Sequence, residues 1–357
     1  MRVCILGASL SSFTLAKALV NKKIHVEIFL KRKKFLTNKT RTLGISKSNI
    51  DFFSSKIVDI DQILWKLNKI EIFTDNLSNE ELIKFENKKE YLFSILKNQE
   101  LFKILKKSLK NNKYFKTTYI KKNFNYQNYD LVVNTDYNNP LTQKYFSKKI
   151  IKKYNSFAYT TVIRHKKTLN NVATQIFTKK GPIAFLPISD KETSIVYSIH
   201  NSNSKKKENI INLIEDKNFK YKIEKIYKIE KFELKSLILR SYFHKNILAF
   251  GDLLHKIHPL AGQGFNMTIR DMKILLEIIQ NKKLLGLPLD SSVNLEFEKK
   301  LKHKNLIFSN GVDLIHEVFN LERRIKNNIL SKSIQITLKN PKLNKFFTKI
   351  ADRGIIN

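Results

Sequence analysis

Glycine, proline and cysteine are scarce in this sequence. Its 357 residues include nine glycines, six prolines and a single cysteine, Cys4. One cysteine excludes an internal disulfide, so a reducing compartment, the cytoplasm, is the expected location. No cysteine or histidine spacing typical of a zinc site occurs, and we predict no bound metal.

Long apolar runs are also absent. No stretch approaches the ~18 consecutive apolar residues that indicate a transmembrane helix, and no charged-then-apolar leader opens the chain. Hydrophobic residues still make up 42% of the sequence, which is enough to bury a sizeable core. We therefore expect a soluble protein of one large or two medium domains, whose membrane contact would be peripheral, on the inner membrane.

Acidic residues are few: 31 Asp and Glu stand against 67 Lys and Arg, for a formal net charge of +36. Such a charge favours nucleic acid or an anionic membrane surface as a partner. The lysines, however, are spread through every segment together with many Asn, Ile and Phe, as a genome-wide drift toward AT-rich codons produces. No nucleic-acid-binding motif accompanies them. We predict no nucleic-acid partner and retain an anionic membrane surface as a partner.

The first thirty residues have the pattern of a dinucleotide-binding fold. An apolar run from Arg2 to Leu6 has the character of a buried strand and ends at Gly7. Helical spacing follows from Phe13 to Val20, and a second apolar run covers Ile24 to Leu30. Strand, turn, helix and strand in this order predict a βαβ unit.

The pattern changes after residue 150. Short segments rich in β-branched and aromatic residues, beginning with Phe157 to Arg164, predict an antiparallel sheet. The strand Asn246 to Phe250 then leads into Gly251, and the chain from Leu295 onward is mostly helical and basic. We predict an α/β protein with a Rossmann-like domain over residues 1–150 and 246–290, an antiparallel-sheet substrate domain over 151–245, and a helical C-terminal region over 291–357.

Glycines, histidines and acidic residues are concentrated between Gly251 and Asp271. Asp252 directly follows the end of a strand, and Gly262-Gln263-Gly264 leads into a helix. Glycine lets backbone N–H groups approach a ligand closely, and a helix N-terminus concentrates unpaired N–H groups and partial positive charge. Such a loop can hold an anionic or electron-rich edge of a planar cofactor, while Asp252 can accept hydrogen bonds from ribityl or ribose hydroxyls.

This segment resembles the ubiquinone-biosynthesis hydroxylases, a branch of the class A flavin monooxygenases with the para-hydroxybenzoate-hydroxylase-like fold. That family carries Gly-Asp-Ala-Ala-His, then His-Pro-Leu-Ala-Gly-Gln-Gly, then Asn and Asp, in this order. Three other stretches agree in order and spacing: Thr40 to Ser46, which contains an arginine, Glu90-Tyr91 with the helix after it, and Phe177 to Pro187. The positions that match the loop pattern are Gly251, Asp252, His255, His258, Pro259, Leu260, Ala261, Gly262, Gln263, Gly264, Asn266 and Asp271.

The resemblance implies an FAD site. Asp252 would contact the ribityl and pyrophosphate region. The backbone from Gly262 to Asn266 would face the N1 and O2 edge of the isoalloxazine ring, where partial positive charge stabilises reduced flavin. Arg41 would lie near the flavin, and no catalytic side chain can be assigned from the sequence. The predicted cofactor-binding residues are Gly7, Ser9, Ser12, Arg41, Asp136, Gly251, Asp252, Pro259, Gly262, Gln263, Gly264, Phe265 and Asn266.

Three departures from the family pattern affect the adenine and diphosphate end. The turn after the first strand has Ser9 and Ser12 where the family carries its second and third glycines. The acid that binds the adenosine ribose is missing from the end of the second strand, Ile28 to Lys31. The Ala-Asp-Gly stretch retains Asp136 but has Tyr137 for the glycine. Compositional loss of glycine and loss of turnover both explain this pattern, and the intact Gly-Gln-Gly loop favours the first.

The activity that the resemblance implies is hydroxylation of the aromatic ring of a polyprenylated phenol in ubiquinone biosynthesis. FAD would be reduced by NAD(P)H or another donor and would react with O2 to give a C4a-hydroperoxide, which the ring attacks. The expected partners are the polyprenylphenol, O2 and a ubiquinone-biosynthesis protein complex. A noncatalytic flavin-binding or scaffold member of such a complex is the alternative.

Overall fold

The computed structural model describes residues 1–31, 41–77, 80–87, 90–119, 126, 128–200, 209–258, 262–325 and 328–354. The strands, in chain order, are β1 (Arg2–Leu6), β2 (His25–Leu30), β3 (Thr42–Ser46), β4 (Trp65–Leu67), β5 (Lys69–Thr74), β6 (Glu81–Glu86), β7 (Phe93–Lys97), β8 (Phe115–Tyr119), β9 (Leu131–Asn134), β10 (Lys149–His165), β11 (Val172–Thr178), β12 (Gly181–Pro187), β13 (Glu192–His200), β14 (Ile223–Ile226), β15 (Glu230–Leu239), β16 (Phe243–His244), β17 (Ile247–Ala249) and β18 (His255–Lys256).

The helices alternate with the strands in the first half and follow one another at the end. They are α1 (Leu10–Asn21), α2 (Lys47–Lys56), α3 (Asn98–Leu109), α4 (Pro140–Tyr145), α5 (Ile210–Asp216), α6 (Gln263–Leu284), α7 (Ser291–Ile325), α8 (Ile329–Lys339) and α9 (Pro341–Arg353). Short 3-10 turns lie at Asp61–Ile63, Asp75–Leu77 and Gly251–Leu253.

The first sheet has the strand order β16-β17-β9-β1-β2-β8. Its neighbours run parallel, except for the β16-β17 pair at one edge. Strands β1 and β9 are buried along their length apart from Arg2, as parallel strands are when layers cover both faces. Because parallel strands end at the same edge, the residues that follow β1, β2, β9 and β17 meet there, and ligands of this fold bind at that edge.

The second sheet is mainly antiparallel, with the order β18-β15-β10-β13-β12-β11-β5-β6, and β14 pairs with β10. Its centre is the predicted antiparallel region. Strands β5 and β6 precede residue 150, yet β5 joins this sheet as a parallel neighbour of β11. The division into domains at residues 150, 245 and 290 stays a prediction. The segment 69–86 lies before residue 150 in the chain but belongs to the second sheet.

The C-terminal third is helical. Helix α7 packs along α6, α8 packs on β6, and α9 lies against α2 and β3. Among the residues that the structure describes, no helix is both long and apolar enough to span a bilayer. The α/β architecture and the helical C-terminus predicted from the sequence are therefore confirmed, and α9 returns the end of the chain to the first domain.

Several groups of apolar side chains hold these layers together. The largest surrounds the parallel sheet, and a second lies on the antiparallel sheet. A smaller group lies where that sheet, the beginning of α6 and α7 converge, and we call it the junction cluster. Its buried members are Phe177, Ile257, Met267 and Val312, with Ile72, Phe308 and Phe319 packed against them.

Candidate active site

The turn after β17 presents a free acid at the carboxyl edge of the parallel sheet. Gly251 has a φ of +66°, and a Cβ atom there would lie 2.8 Å from the Oγ of Ser11 in α1. Both the backbone conformation and this close approach require glycine. The next residue, Asp252, is exposed, and its carboxylate has no hydrogen bond to any residue of the described part of the chain. It is therefore available to accept hydrogen bonds from a ligand.

The loop that begins α6 lies against β3. Gly262 caps the helix in the left-handed conformation with a φ of +64°, and a Cβ atom there would lie 3.5 Å from the backbone nitrogen of Gly44. A Cβ on Gly264 would meet nothing within 4 Å. The first turn of α6 thus combines unpaired N–H groups with an unobstructed approach, which suits the electron-rich edge of a planar ring. Pro259 lies outside the described residues.

Asn266 joins this loop to β3 and α2. Its side-chain amide donates to the carbonyl oxygen of Gly44 at 2.9 Å, and its Oδ1 accepts from the backbone N–H of Ser46 at 3.0 Å and from the side chain of Asn49 at 3.0 Å. The side chain is fully buried. Its polar atoms are thus used within the protein, and the predicted ligand contact would be made by the backbone around it.

Phe265 and Arg41 are two further residues predicted to bind the cofactor, and their surroundings differ. Phe265 packs against the main core. Arg41 is exposed, and its carbonyl oxygen accepts from the backbone N–H of Asn98 at 3.1 Å. Its guanidinium has no partner among the described residues, so its charge remains available to a ligand.

Helix α9 covers one side of the loop, which sequence reasoning did not anticipate. Gln263 donates to the carbonyl oxygen of Ala351 at 3.2 Å. The carbonyl oxygen of Asp352 accepts from the hydroxyls of Ser46 and Ser48, at 2.8 and 3.0 Å, and its carboxylate accepts from the backbone N–H of Ser48. No spacing in the sequence indicates a contact between residues almost ninety positions apart.

His255, the first histidine of the matched pattern, has a structural role. Its Nε2 makes a short hydrogen bond to the carboxylate of Asp271, and the side chain of Asn305 donates to the other oxygen of that carboxylate at 3.1 Å. All three side chains are buried. The group ties the segment after β17 to α6 and α7.

His258, the second histidine, is buried beside the antiparallel sheet. Its ring centroid lies 4.8 Å from that of Tyr154 in β10 and 4.4 Å from that of His316 in α7. Neither ring nitrogen of His258 has a hydrogen-bond partner within the described ranges. Burial, followed by the charge of His316, lowers the pKa of His258 to about 3, so the ring is neutral at neutral pH.

A pocket opens next to the junction cluster. It is a shallow recess, partly open to solvent, between β11, β12 and α7. Phe177 and Phe319 stack at its apolar side, with ring centroids 3.5 Å apart, and His316 and Thr178 supply polar groups. Tyr197 is a core residue whose hydroxyl lies 3.1 Å from that of Thr178. The apolar side continues through Phe177 into the junction cluster, which also contains Met267 of the second turn of α6.

The turn after β1 is closed by hydroxyl groups. Gly7 has a φ of +114°, and a Cβ there would lie 2.6 Å from the Oγ1 of Thr135. The Oγ of Ser12 lies 2.7 Å from the same atom, and the Oγ of Ser9 accepts from the backbone N–H of Ser12 at 3.1 Å. The predicted residues Gly7, Ser9 and Ser12 therefore lie together at the carboxyl edge, and a threonine that sequence reasoning did not single out joins them.

The acidic residues near this turn are paired with other side chains of the protein. Glu27 in β2 accepts hydrogen bonds from Thr118 and from Tyr129, so its carboxylate is used within the sheet. At the carboxyl end of β2, the ammonium group of Lys31 lies 3.1 Å from the carboxylate of Asp136. The predicted residue Asp136 is thus at the expected edge, but it is paired with a lysine.

Comparison with curated proteins finds ubiquinone-pathway hydroxylases, although no protein-family model matches the chain. It is 25% identical to the mitochondrial ubiquinone biosynthesis monooxygenase COQ6 of Danio rerio over 193 residues, 43% of this chain and 40% of that protein. It is 29% identical to the 3-demethoxyubiquinol 3-hydroxylase of Escherichia coli K12 over 153 residues, 41% of this chain and 39% of that protein. The matches span about two fifths of each relative's length.

Comparison with solved structures gives the fold. The chain superimposes on p-nitrophenol 4-monooxygenase PnpA from Pseudomonas putida with a TM-score of 0.74 and 11% identity, covering 99% of this chain and 98% of that one. It superimposes on HpxO from Klebsiella pneumoniae, solved with FAD, with a TM-score of 0.73 and 10% identity, covering 98% and 99%. The predicted fold, that of the FAD-dependent monooxygenases, is confirmed.

Proposed function

We propose that this chain hydroxylates the aromatic ring of a polyprenylated phenol, using FAD and O2. Its relatives and its fold support its resemblance to the ubiquinone-biosynthesis FAD hydroxylases. The observation that carries the proposal is the contact between two separate motifs, the turn at Gly251–Leu253 and helix α6. The free carboxylate of Asp252 lies at one of them, and the open first turn of α6, from Gly262 onward, forms the other.

The described residues suit an FAD molecule at its flavin end. Asp252 would hold ribityl hydroxyls, the backbone N–H groups at Gly264 would face the ring, and Arg41 would add positive charge near it. Bound FAD would supply the redox chemistry and the activation of O2, with NAD(P)H as the proposed electron donor. The protein positions the two reactants and excludes water, which the buried junction cluster favours.

The substrate would lie between the flavin loop and the antiparallel sheet. The junction cluster connects Ile257 and Met267, beside the loop, with Phe177 of the sheet. An apolar prenyl tail fits such a surface. His316 and Thr178 line the adjoining pocket and could hold the polar ring hydroxyl. The chain's cofactor and substrate sites would then meet at the beginning of α6.

We expect the purified protein to retain FAD on a sizing column and to show flavin absorbance. Asp252→Asn should weaken FAD binding about tenfold or more, because hydrogen bonds to a charged group are stronger than neutral ones. Asp216→Asn, which alters an exposed acid of α5, is the matched control. The measurement is quenching of FAD fluorescence during titration.

A noncatalytic scaffold would show different kinetics from an enzyme. If the chain is an enzyme, NADPH oxidation will depend on an added prenylphenol. Flavin retention without substrate-dependent oxidation of NADPH or of an artificial electron donor would favour the scaffold. Complete failure to retain flavin at excess FAD would contradict the proposed function itself.

We further propose a peripheral position on an anionic membrane, made by the outer faces of α8 and α9. Ile336, Phe346 and Phe347 are 70%, 56% and 43% exposed, which is unusual for large apolar side chains. Lys342 and Lys345 flank them on α9. Apolar and basic residues on one helix are typical of binding at a lipid surface. Membership of a ubiquinone-biosynthesis protein complex is a separate proposal.

The double variant Phe346→Ser/Phe347→Ser should reduce binding to phosphatidylglycerol vesicles about tenfold, because two aromatic anchors are removed. The measurement is co-sedimentation with vesicles. Leu285→Ser, which changes a side chain 72% exposed at the end of α6, is the control and should bind like the unaltered chain. Equal binding to phosphatidylcholine vesicles, or no effect of the double variant, would contradict this membrane surface.

A further inference from the structure

The N-terminus of α1 is closed by the protein's own side chains. Ser9 is the N-cap: its Oγ accepts from the backbone N–H of Ser12 at 3.1 Å, while the Oγ of Ser12 accepts from the backbone N–H of Ser9 at 3.2 Å. In dinucleotide-binding folds these N–H groups point at the diphosphate. Here two of them are already satisfied, so the turn offers a diphosphate fewer donors than a glycine loop would.

Thr135 holds this arrangement in place. Its hydroxyl donates to the carbonyl oxygen of Leu6 at 3.0 Å and lies 2.7 Å from the Oγ of Ser12. The Oγ of Ser9 donates to the same hydroxyl at 3.3 Å. The serines are therefore part of a bonded cluster that joins the ends of β1 and β9, and the charge of a bound diphosphate has to be balanced by another group.

Lys31 is placed to balance it. The residue follows β2 directly, and β2 and β9 flank β1 in the sheet. Its ammonium group lies 3.1 Å from the carboxylate of Asp136 and 2.6 Å from the carbonyl oxygen of Asn138. Asp136 in turn lies beside Gly7, whose Cβ position is 3.1 Å from the Cβ of Asp136. The Lys31–Asp136 pair thus crosses the carboxyl end of β1, over the turn where a diphosphate would lie.

We propose that Lys31 binds the diphosphate of FAD and that Asp136 is its partner only while the site is free. The inference rests on the proposed function. The lysine side chain is 42% exposed and can move, and an exposed ion pair with one carboxylate is weak. A diphosphate carries two negative charges and several acceptor oxygens, so it competes for the ammonium group effectively.

Titration of the full-length protein with FAD and with riboflavin, followed by fluorescence quenching, tests the assignment. Lys31→Gln should weaken FAD binding about tenfold or more and leave riboflavin, which has no diphosphate, unaffected. Lys66→Gln is the matched control, because Lys66 is also 42% exposed and is paired with Asp61 at 2.7 Å in the β4 region. FAD binding to Lys31→Gln within about twofold of the unaltered chain would overturn the proposal.

The Asp136→Asn variant is an independent test, because the two explanations predict opposite changes in FAD affinity. Removing the competing charge should tighten FAD binding severalfold if Lys31 transfers to the diphosphate, whereas a direct contact of Asp136 with the cofactor would make binding weaker. Unchanged or weaker binding would overturn the transfer. If the unaltered chain binds riboflavin and FAD but Lys31→Gln has no effect, only this inference fails. If the unaltered chain binds neither flavin, the proposed function fails with it.

Discussion

Replacing Asn266 with leucine should lower the free energy of unfolding by about 3–5 kcal/mol. The substitution retains the approximate volume but leaves the Gly44 carbonyl, the Ser46 N–H and the Asn49 side chain without their partner in a buried site. Each buried polar group left unsatisfied costs about 1–3 kcal/mol. Urea-induced unfolding, monitored by circular dichroism, measures the effect.

The same variant should lose FAD affinity, because Asn266 holds the first turn of α6 against β3. Asn344→Leu is the control: that side chain also donates to a backbone carbonyl, that of Lys84 at 2.9 Å, but it is accessible to water in α9. Its effect should be within about 0.5 kcal/mol. A loss below about 1 kcal/mol for Asn266→Leu would show that water or a rearranged loop replaces the lost bonds.

Gly181→Ala should be the second severe substitution, with a loss of about 3 kcal/mol or more. Gly181 begins β12 with a φ of +136°, and a Cβ there would lie 2.0 Å from the carbonyl oxygen of Ser198 in β13. The obstacle is backbone within a hydrogen-bonded sheet, so the neighbouring strand cannot move aside without losing its pairing. Because Gly181 also lines the pocket that is proposed to bind the substrate, the same variant should bind a prenylphenol more weakly.

Gly311→Ala tests whether the loss at Gly181 is specific to its position. Gly311 lies on an exposed face of α7, and a Cβ there meets nothing within 4 Å. Alanine should stabilise this helix by about 0.5–1 kcal/mol. Opposite signs for the two variants in thermal and urea unfolding are the expected result. A mild effect at Gly181 would mean that β12 and β13 can separate locally.

The glycine positions show which parts of the site could be predicted from the sequence. Gly251 and Gly262 were predicted to belong to a ligand loop, and both have positive φ values. Such conformations leave a local signature, because few residues other than glycine adopt them. Asp252 follows Gly251 directly, so its location was determined by the end of the preceding strand.

The partners of those residues could not be predicted. Asn49 and Gly44 meet Asn266 more than two hundred positions away, and Asp136 meets Lys31 across β1. Contacts of this kind depend on strand order, and the sequence of either partner carries no period or spacing that encodes it. The eroded glycine motif is an example. Ser12 replaces a glycine of the family pattern, and nothing in the sequence indicates that its hydroxyl lies beside that of Thr135.

The sequence by itself determined many of the strands and helices, the glycine turns and the resemblance to a flavin hydroxylase, because apolar periodicity and left-handed glycines are local properties of the chain. The tertiary structure alone decided which side chains are available to a ligand. It assigned His255 and Asn266 to holding the loop, left Asp252 exposed, and placed α9 over Gln263. Availability depends on what else is packed within hydrogen-bonding distance, and folding brings those groups together from distant positions.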